Sequence, residues 1–217
     1  MYKTQDLLDL NHTIAKDYLQ KYEYPWMVLP EIKNIINELI EKLDKNEFKQ
    51  IKENVWVHNS AKIYDSAYID GPTIIGANSE VRHCAFIRGS ALIGENCVIG
   101  NSVEVKNAII FDNVQVPHFN YCGDSVLGYK SHMGAGSITS NVRSDKQLVK
   151  VHGNPDIETG LKKMGAILGD YVEVGCNAVL NPGTVVGRNS MVYPTSCVRG
   201  VVKENSIYTN KGEQFER

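Results

Sequence analysis

The stretch 115-QVPHFNYCGDSVLG-128 sets a proline, a histidine and a tyrosine close together in a chain that otherwise alternates aliphatic and small residues. Histidine is the side chain suited to take up a proton during a reaction near neutral pH, and His118 is the one in this stretch. A second polar interruption, 142-VRSDKQLVKVHGNPDIETGLKKMG-165, carries five cations (Arg143, Lys146, Lys150, Lys162, Lys163) against three carboxylates (Asp145, Asp156, Glu158). That balance suits a lid that handles anions. Five cysteines (84, 97, 122, 176, 197) form no CxxC pair. An odd number without close pairing argues against a disulfide framework or a zinc ribbon, and the reading is of small buried fillers.

The elements that position these residues follow from a period of six. Val57, Ile63, Ile69, Ile75, Val81, Ile87, Ile93, Ile99 and Val105 recur without a polar residue, and Leu168, Val174, Leu180, Val186, Val192 and Val198 continue the series. Four residues after each aliphatic stands a second inward position, mostly small: Ala61, Ala67, Thr73, Ser79, Ala85, Ala91, Cys97, Val103. No helix has this period. Short strands joined by turns such as IGAN and IGEN do, which predicts a parallel β-helix of hexapeptide repeats, about seven coils and some 33 Å tall at roughly 4.8 Å per coil. The inward ladder slips by one residue between Val105 and Ile110 and again between Cys122 and Leu127.

The expected organisation is a helical cap over 1–52, a β-helix over 53–212 with an extruded loop at 142–165, and a tail at 213–217. The cap reading rests on Ile14, Ala15, Tyr18, Leu19 and Tyr22, then on Pro30 opening a helix with Ile32, Ile35, Ile36, Leu39, Ile40 and Leu43 at helical spacing. Net charge is -2, which offers no general attraction to nucleic acid or acidic membranes. No apolar stretch approaches the roughly 20 residues of a membrane span, so a cytoplasmic protein with small-molecule partners is expected.

The segment from Phe86 to Asp145, with its motifs IRG, VEVKN, PHFNY and GAGSITSN, resembles the acetyltransferase domain of the bifunctional N-acetylglucosamine-1-phosphate uridyltransferase/glucosamine-1-phosphate acetyltransferases. PHFNY, SNVRSD and the GLKKMGA return from the loop resemble the archaeal sugar-1-phosphate version most. The resemblance covers about residues 55–212. It implies a left-handed coil, a homotrimer, acetyl-coenzyme A as co-substrate with no metal needed, and direct acetyl transfer to an amino-sugar 1-phosphate in UDP-N-acetylglucosamine biosynthesis.

Residue by residue, the resemblance implies that His118 is the general base, that Asn141 and Tyr121 orient the sugar amine, and that Arg88 and Lys106 hold the phosphate. Lys146 or Lys150 would close over the substrate. The backbone amide of Ala135 would stabilise the thioester oxyanion. Cys176 and Lys211 would meet the coenzyme. His132 and Val142 stand where many bacterial relatives have asparagine and tyrosine. Residues 1–55 lack the glycine-rich nucleotide loop of the bifunctional enzymes, so uridyl transfer is not expected. Two other classes compete. A γ-class carbonic anhydrase would need a closely spaced zinc-binding histidine pair, whereas His118 and His132 are 14 residues apart. A β-helix that binds a nucleotide sugar or coenzyme without turnover is the other.

Overall fold

The protein is described by a computed structural model covering all 217 residues. From Val55 onward the chain winds into a parallel β-helix with three faces, as the hexads require. Seven coils are complete and an eighth has two faces. The first face runs from Val55–His58 through Thr73–Ile75 and Ala91–Ile93 to Val201–Val202, and the second from Lys62–Ile63 to Ser206–Tyr208. The third face begins at Tyr68–Ile69 and ends at Cys197–Val198. Two strands, Glu104–Ile110 and Tyr121–Leu127, cross from the third face to the first without a break. They are the two places where the ladder slips: each corner is one residue short, and Asn107 and Asp124 turn it with φ of 49° and 48°. Short polar side chains tolerate this left-handed conformation best.

On the first face the outward residues are apolar too. Ile74, Leu92, Ile109, Val126, Ile167 and Val185 lie in register from coil to coil, and each is at most 1% exposed. The N-terminal segment buries them. It was expected to cap one end of the prism; instead it runs along this flank. Tyr2 receives the Glu204 amide through its hydroxyl at 2.7 Å. Farther along, Leu7 and His12 accept the amides of Asp170 and Asp112, and helix Ile32–Lys42 packs on the second, third and fourth coils. The physical reason is the apolar row itself: burying each such side chain is worth about 1.5–3 kcal/mol, which an end cap would have left unclaimed. Two details of the cap reading also change. Ile14 is half exposed, and Pro30 lies within the 3-10 turn Pro25–Glu31, so the helix opens at Ile32.

The ends are closed by strands. Phe48–Lys52 pairs antiparallel with Val55–His58, and Gln214–Glu216 pairs antiparallel with Ser206–Tyr208. Cys97 and Cys122 are buried as expected, whereas Cys84, Cys176 and Cys197 are exposed. Cys84 and Cys176 sit at corners of the coil, and Cys197 points outward from the third face. No helix is long and apolar enough to cross a membrane.

Candidate active site

Two edges of the prism bring the expected site residues together, and the third face lies between them. Along the edge joining the second and third faces, backbone hydrogen bonds step from coil to coil: Phe119 N to Asn101 O, Gly136 N to His118 O, Asn177 N to Ala135 O and Thr195 N to Cys176 O, at 2.8–3.0 Å. His118, Ala135 and Cys176 therefore stack on one line, about 4.8 Å apart per coil. The His118 imidazole is exposed and makes no hydrogen bond within the chain, and the Ala135 amide likewise has no acceptor. Lys211 lies just beyond Tyr208, in the turn of the closing hairpin, at the far end of the prism.

The turn that presents His118 depends on a residue the sequence reading passed over. Asn120 is buried; its side-chain oxygen accepts the His118 amide at 3.1 Å and its nitrogen donates to Gly134 O, Ser137 O and Ser137 Oγ. This staple holds Phe119 at φ 54°, a conformation costly for a bulky residue unless its surroundings enforce it. Phe119 itself is 63% exposed beside the histidine.

The edge between the third face and the next coil's first face carries the cations. Arg88 pairs with Glu104 at 2.7 Å. Lys106 faces Asp124, and that carboxylate also accepts from Asn107 at 2.9 Å and from Asn141 at 2.5 Å. The same Asn141 nitrogen donates to the Tyr121 hydroxyl at 3.0 Å. Burial beside Asp124 pushes the Tyr121 hydroxyl above its usual range, so it stays protonated at neutral pH. Asp124 is thus the hub of this cluster. Its signal in the sequence was the second slip of the ladder, because the shortened corner turns Asp124 in beside Lys106.

A glycine makes the cluster possible. A Cβ on Gly123 would strike the ring and hydroxyl of Tyr121, which fold back over that backbone. Only a bare backbone permits that approach.

The inserted loop departs from expectation. It does not stand free as a lid: Val149, Val151 and Met164 are fully buried, and the Met164 amide donates to Asn141 O, closing the loop at its base. Strands Lys150–Val151 and Ile157–Glu158 pair within it. The Lys150 ammonium is held by Glu158 at 2.5 Å, and its carbonyl abuts Gly183, one coil beyond Asn141. Lys150 is therefore placed away from the Lys106 cluster. Lys146 is exposed in a turn at φ 60° and has no charged partner. No three His, Cys, Asp or Glu side chains in the chain are grouped as metal ligands.

Comparison with known proteins adds a lineage to this geometry. Residues 85–191 match the family model described as the GMPPB C-terminal domain. The chain is 33% identical over 201 residues to "Bifunctional protein GlmU" of Methanococcus maripaludis, an alignment covering 90% of this chain and 48% of that protein. It is 34% identical over 207 residues to the "Bifunctional sugar-1-phosphate nucleotidylyltransferase/acetyltransferase" of Sulfurisphaera tokodaii, covering 89% and 52%. The chain spans about half the length of these curated relatives. Among solved structures, the acetyltransferase domain of PglB from Neisseria gonorrhoeae in complex with acetyl coenzyme A is similar at 17% identity and TM-score 0.39, covering 83% of this chain and 65% of that one. The UDP-N-acetylglucosamine O-acyltransferase of Moraxella catarrhalis is similar at 15% identity and TM-score 0.40, covering 74% and 71%.

Proposed function

We propose that this chain, a homologue of the bifunctional sugar-1-phosphate nucleotidylyltransferase/acetyltransferases over about nine-tenths of its length, acetylates the amine of an amino-sugar 1-phosphate. The observation that carries the reading is the division of labour between the two edges. A free imidazole stands on one, a buried carboxylate with cations and amides on the other. The strand segment 121–123 between them spans about 10 Å at roughly 3.3 Å per residue, a length a hexosamine phosphate can bridge.

In this reading Arg88 and Lys106 receive the phosphate through N–H donors not engaged by Glu104 and Asp124, so that the buried Asp124 keeps its cation. Tyr121 and Asn141 orient the sugar. His118 takes the proton from the amine as it attacks and returns it to the leaving sulfur, so no acyl group is carried on the protein. Acetyl-coenzyme A, when bound, supplies the activated thioester. The unpartnered Ala135 amide, one coil below His118, fits the carbonyl of that thioester and donates to the charge that develops on its oxygen. Below it, Ile138, Val179 and Cys197 offer a shallow apolar track for the rest of the coenzyme, with Cys176 beside it and Lys211 at its end. Lys146, unpaired, is the loop cation available to the substrate. We further propose self-association as a trimer through the third face, whose outward row includes Tyr68, Phe86 and Ile138, with Phe119 at its edge, all more than a third exposed.

The test is release of free thiol from acetyl-coenzyme A with glucosamine-1-phosphate and with galactosamine-1-phosphate, for wild type and His118→Ala. Turnover with one sugar, lost in the variant while coenzyme binding persists, supports the reading. Coenzyme binding without turnover on either sugar would point to a non-catalytic binding protein.

A further inference from the structure

Beyond Asn141 the cation-bearing edge continues into a second polar site. Ser140, Asn181 and Arg199 follow one another there, one per coil. Opposite them stand Arg143, Ser144 and His152 of the inserted loop, and a cleft of about 230 Å³ lies between. Its walls are fixed. The His152 carbonyl accepts the Val201 amide at 3.1 Å, and the loop is anchored by the buried Val149, Val151 and Met164.

The cleft's charges are unevenly compensated. Its one carboxylate, Asp145, is engaged by Arg143 through Nε and Nη2 at 2.9 and 2.5 Å. His152 is hydrogen-bonded to Asp156 at 3.0 Å. Arg199, exposed, is the one of the six arginines that has neither a hydrogen bond nor an ion pair. The hydroxyls of Ser140 and Ser144 are also unbonded within the chain. A free guanidinium and two free hydroxyls, in a cleft whose carboxylate is already engaged by Arg143, leave N–H and O–H donors in excess. The complementary ligand is a compact oxyanion that accepts several hydrogen bonds, and the fork of arginine matches phosphate best.

We propose that this cleft is a second phosphate-binding site, separate from the Arg88 and Lys106 cluster and centred on Arg199. The phosphate could come from a coenzyme's 3′-phosphate, a sugar phosphate or the free ion, and the chemistry of recognition is the same.

Isothermal titration of the full chain with inorganic phosphate, coenzyme A, dephospho-coenzyme A and glucosamine-1-phosphate tests it, using wild type, Arg199→Gln and Lys106→Met. Both variants are first required to keep the wild-type fold by circular dichroism. The expected result is that at least one phosphate ligand loses about tenfold or more in affinity in Arg199→Gln and keeps its affinity in Lys106→Met. Loss for coenzyme A but not dephospho-coenzyme A identifies the 3′-phosphate as the occupant; loss for glucosamine-1-phosphate or for inorganic phosphate identifies those instead. If no phosphate ligand weakens in Arg199→Gln, or if the same ligand weakens equally in Lys106→Met, the proposal is overturned. Binding is read without turnover, so the cleft stands or falls independently of acetyl transfer.

Discussion

The ammonium of Lys106 lies 3.2 Å from both oxygens of Asp124, whose side chain is only 6% exposed. A buried carboxylate left without its cation is costly, so Lys106→Met and Asp124→Ala should each destabilise the protein by about 2–4 kcal/mol. The double variant should lose less than the sum. Chemical denaturation of the four proteins gives the coupling, expected at about 1 kcal/mol or more. Strict additivity would show that the pair does not act as a unit.

Gly123→Ala isolates the placement of Tyr121. The new methyl displaces the ring, which is the movable partner, so the melting temperature should change little while the bond to Asn141 breaks. Turnover should fall by about as much as in Tyr121→Phe, and the two changes combined should be no worse than either alone. A double variant with multiplied losses would mean that the glycine acts elsewhere.

Lys150→Ala should leave the KM for the sugar phosphate unchanged, because that ammonium is occupied by Glu158 and lies beyond the cluster. Lys146→Ala, which removes an unpaired cation, should raise it severalfold. Steady-state kinetics on both variants decides the assignment, and a reversed order would reject it.

The third face can be tested by charge. Phe119→Asp with Ile138→Asp should convert a particle of about three times 24.2 kDa into single chains in sedimentation equilibrium. An unchanged mass would place the interface elsewhere.

Asp170 fastens the N-terminal segment. It accepts from the Asp9 and Tyr129 amides at 2.7 and 2.8 Å and pairs with Arg188 at 3.0 Å. Burial nonetheless raises its carboxyl above the usual aspartate range. A raised carboxyl contributes stability that is fully present below its unfolded value near 3.8 and is lost as pH climbs through the folded value. Wild type should therefore lose ground relative to Asp170→Asn as pH rises above the unfolded value near 3.8, read from paired melting curves. A gap that widens in favour of wild type over that range would contradict the assignment.

The coil was legible because its signal is repetitive: each aliphatic of the hexad ladder has the same task, and one period states it nine times from Val57 to Val105. The seat of the N-terminal segment was not read, although it too was encoded. Ile74, Leu92 and Ile109 recur at nearly eighteen residues, a beat easily lost beneath the stronger period of six. At the candidate site, motif resemblance reached residues with distinctive side chains, such as His118 and Tyr121. It missed Asp124 and Asn120, whose importance lies in burial and in partners from other coils, which only the winding of the chain brings near. Which of Lys146 and Lys150 faces the cluster was not legible, because the path of an insertion is set by where its few apolar residues dock, here Val149, Val151 and Met164.

Stacked coils touch only their neighbours, and such arrays can fray from an end one unit at a time. The N-terminal segment contacts the eighth coil through Tyr2, the sixth through Leu7 and Asp9, the fourth through His12, and the second through helix Ile32–Lys42. No coil at the far end can peel away without first lifting a ribbon that also holds the near end. The molecule should therefore melt as one cooperative body, with the two ends of the prism unfolding together.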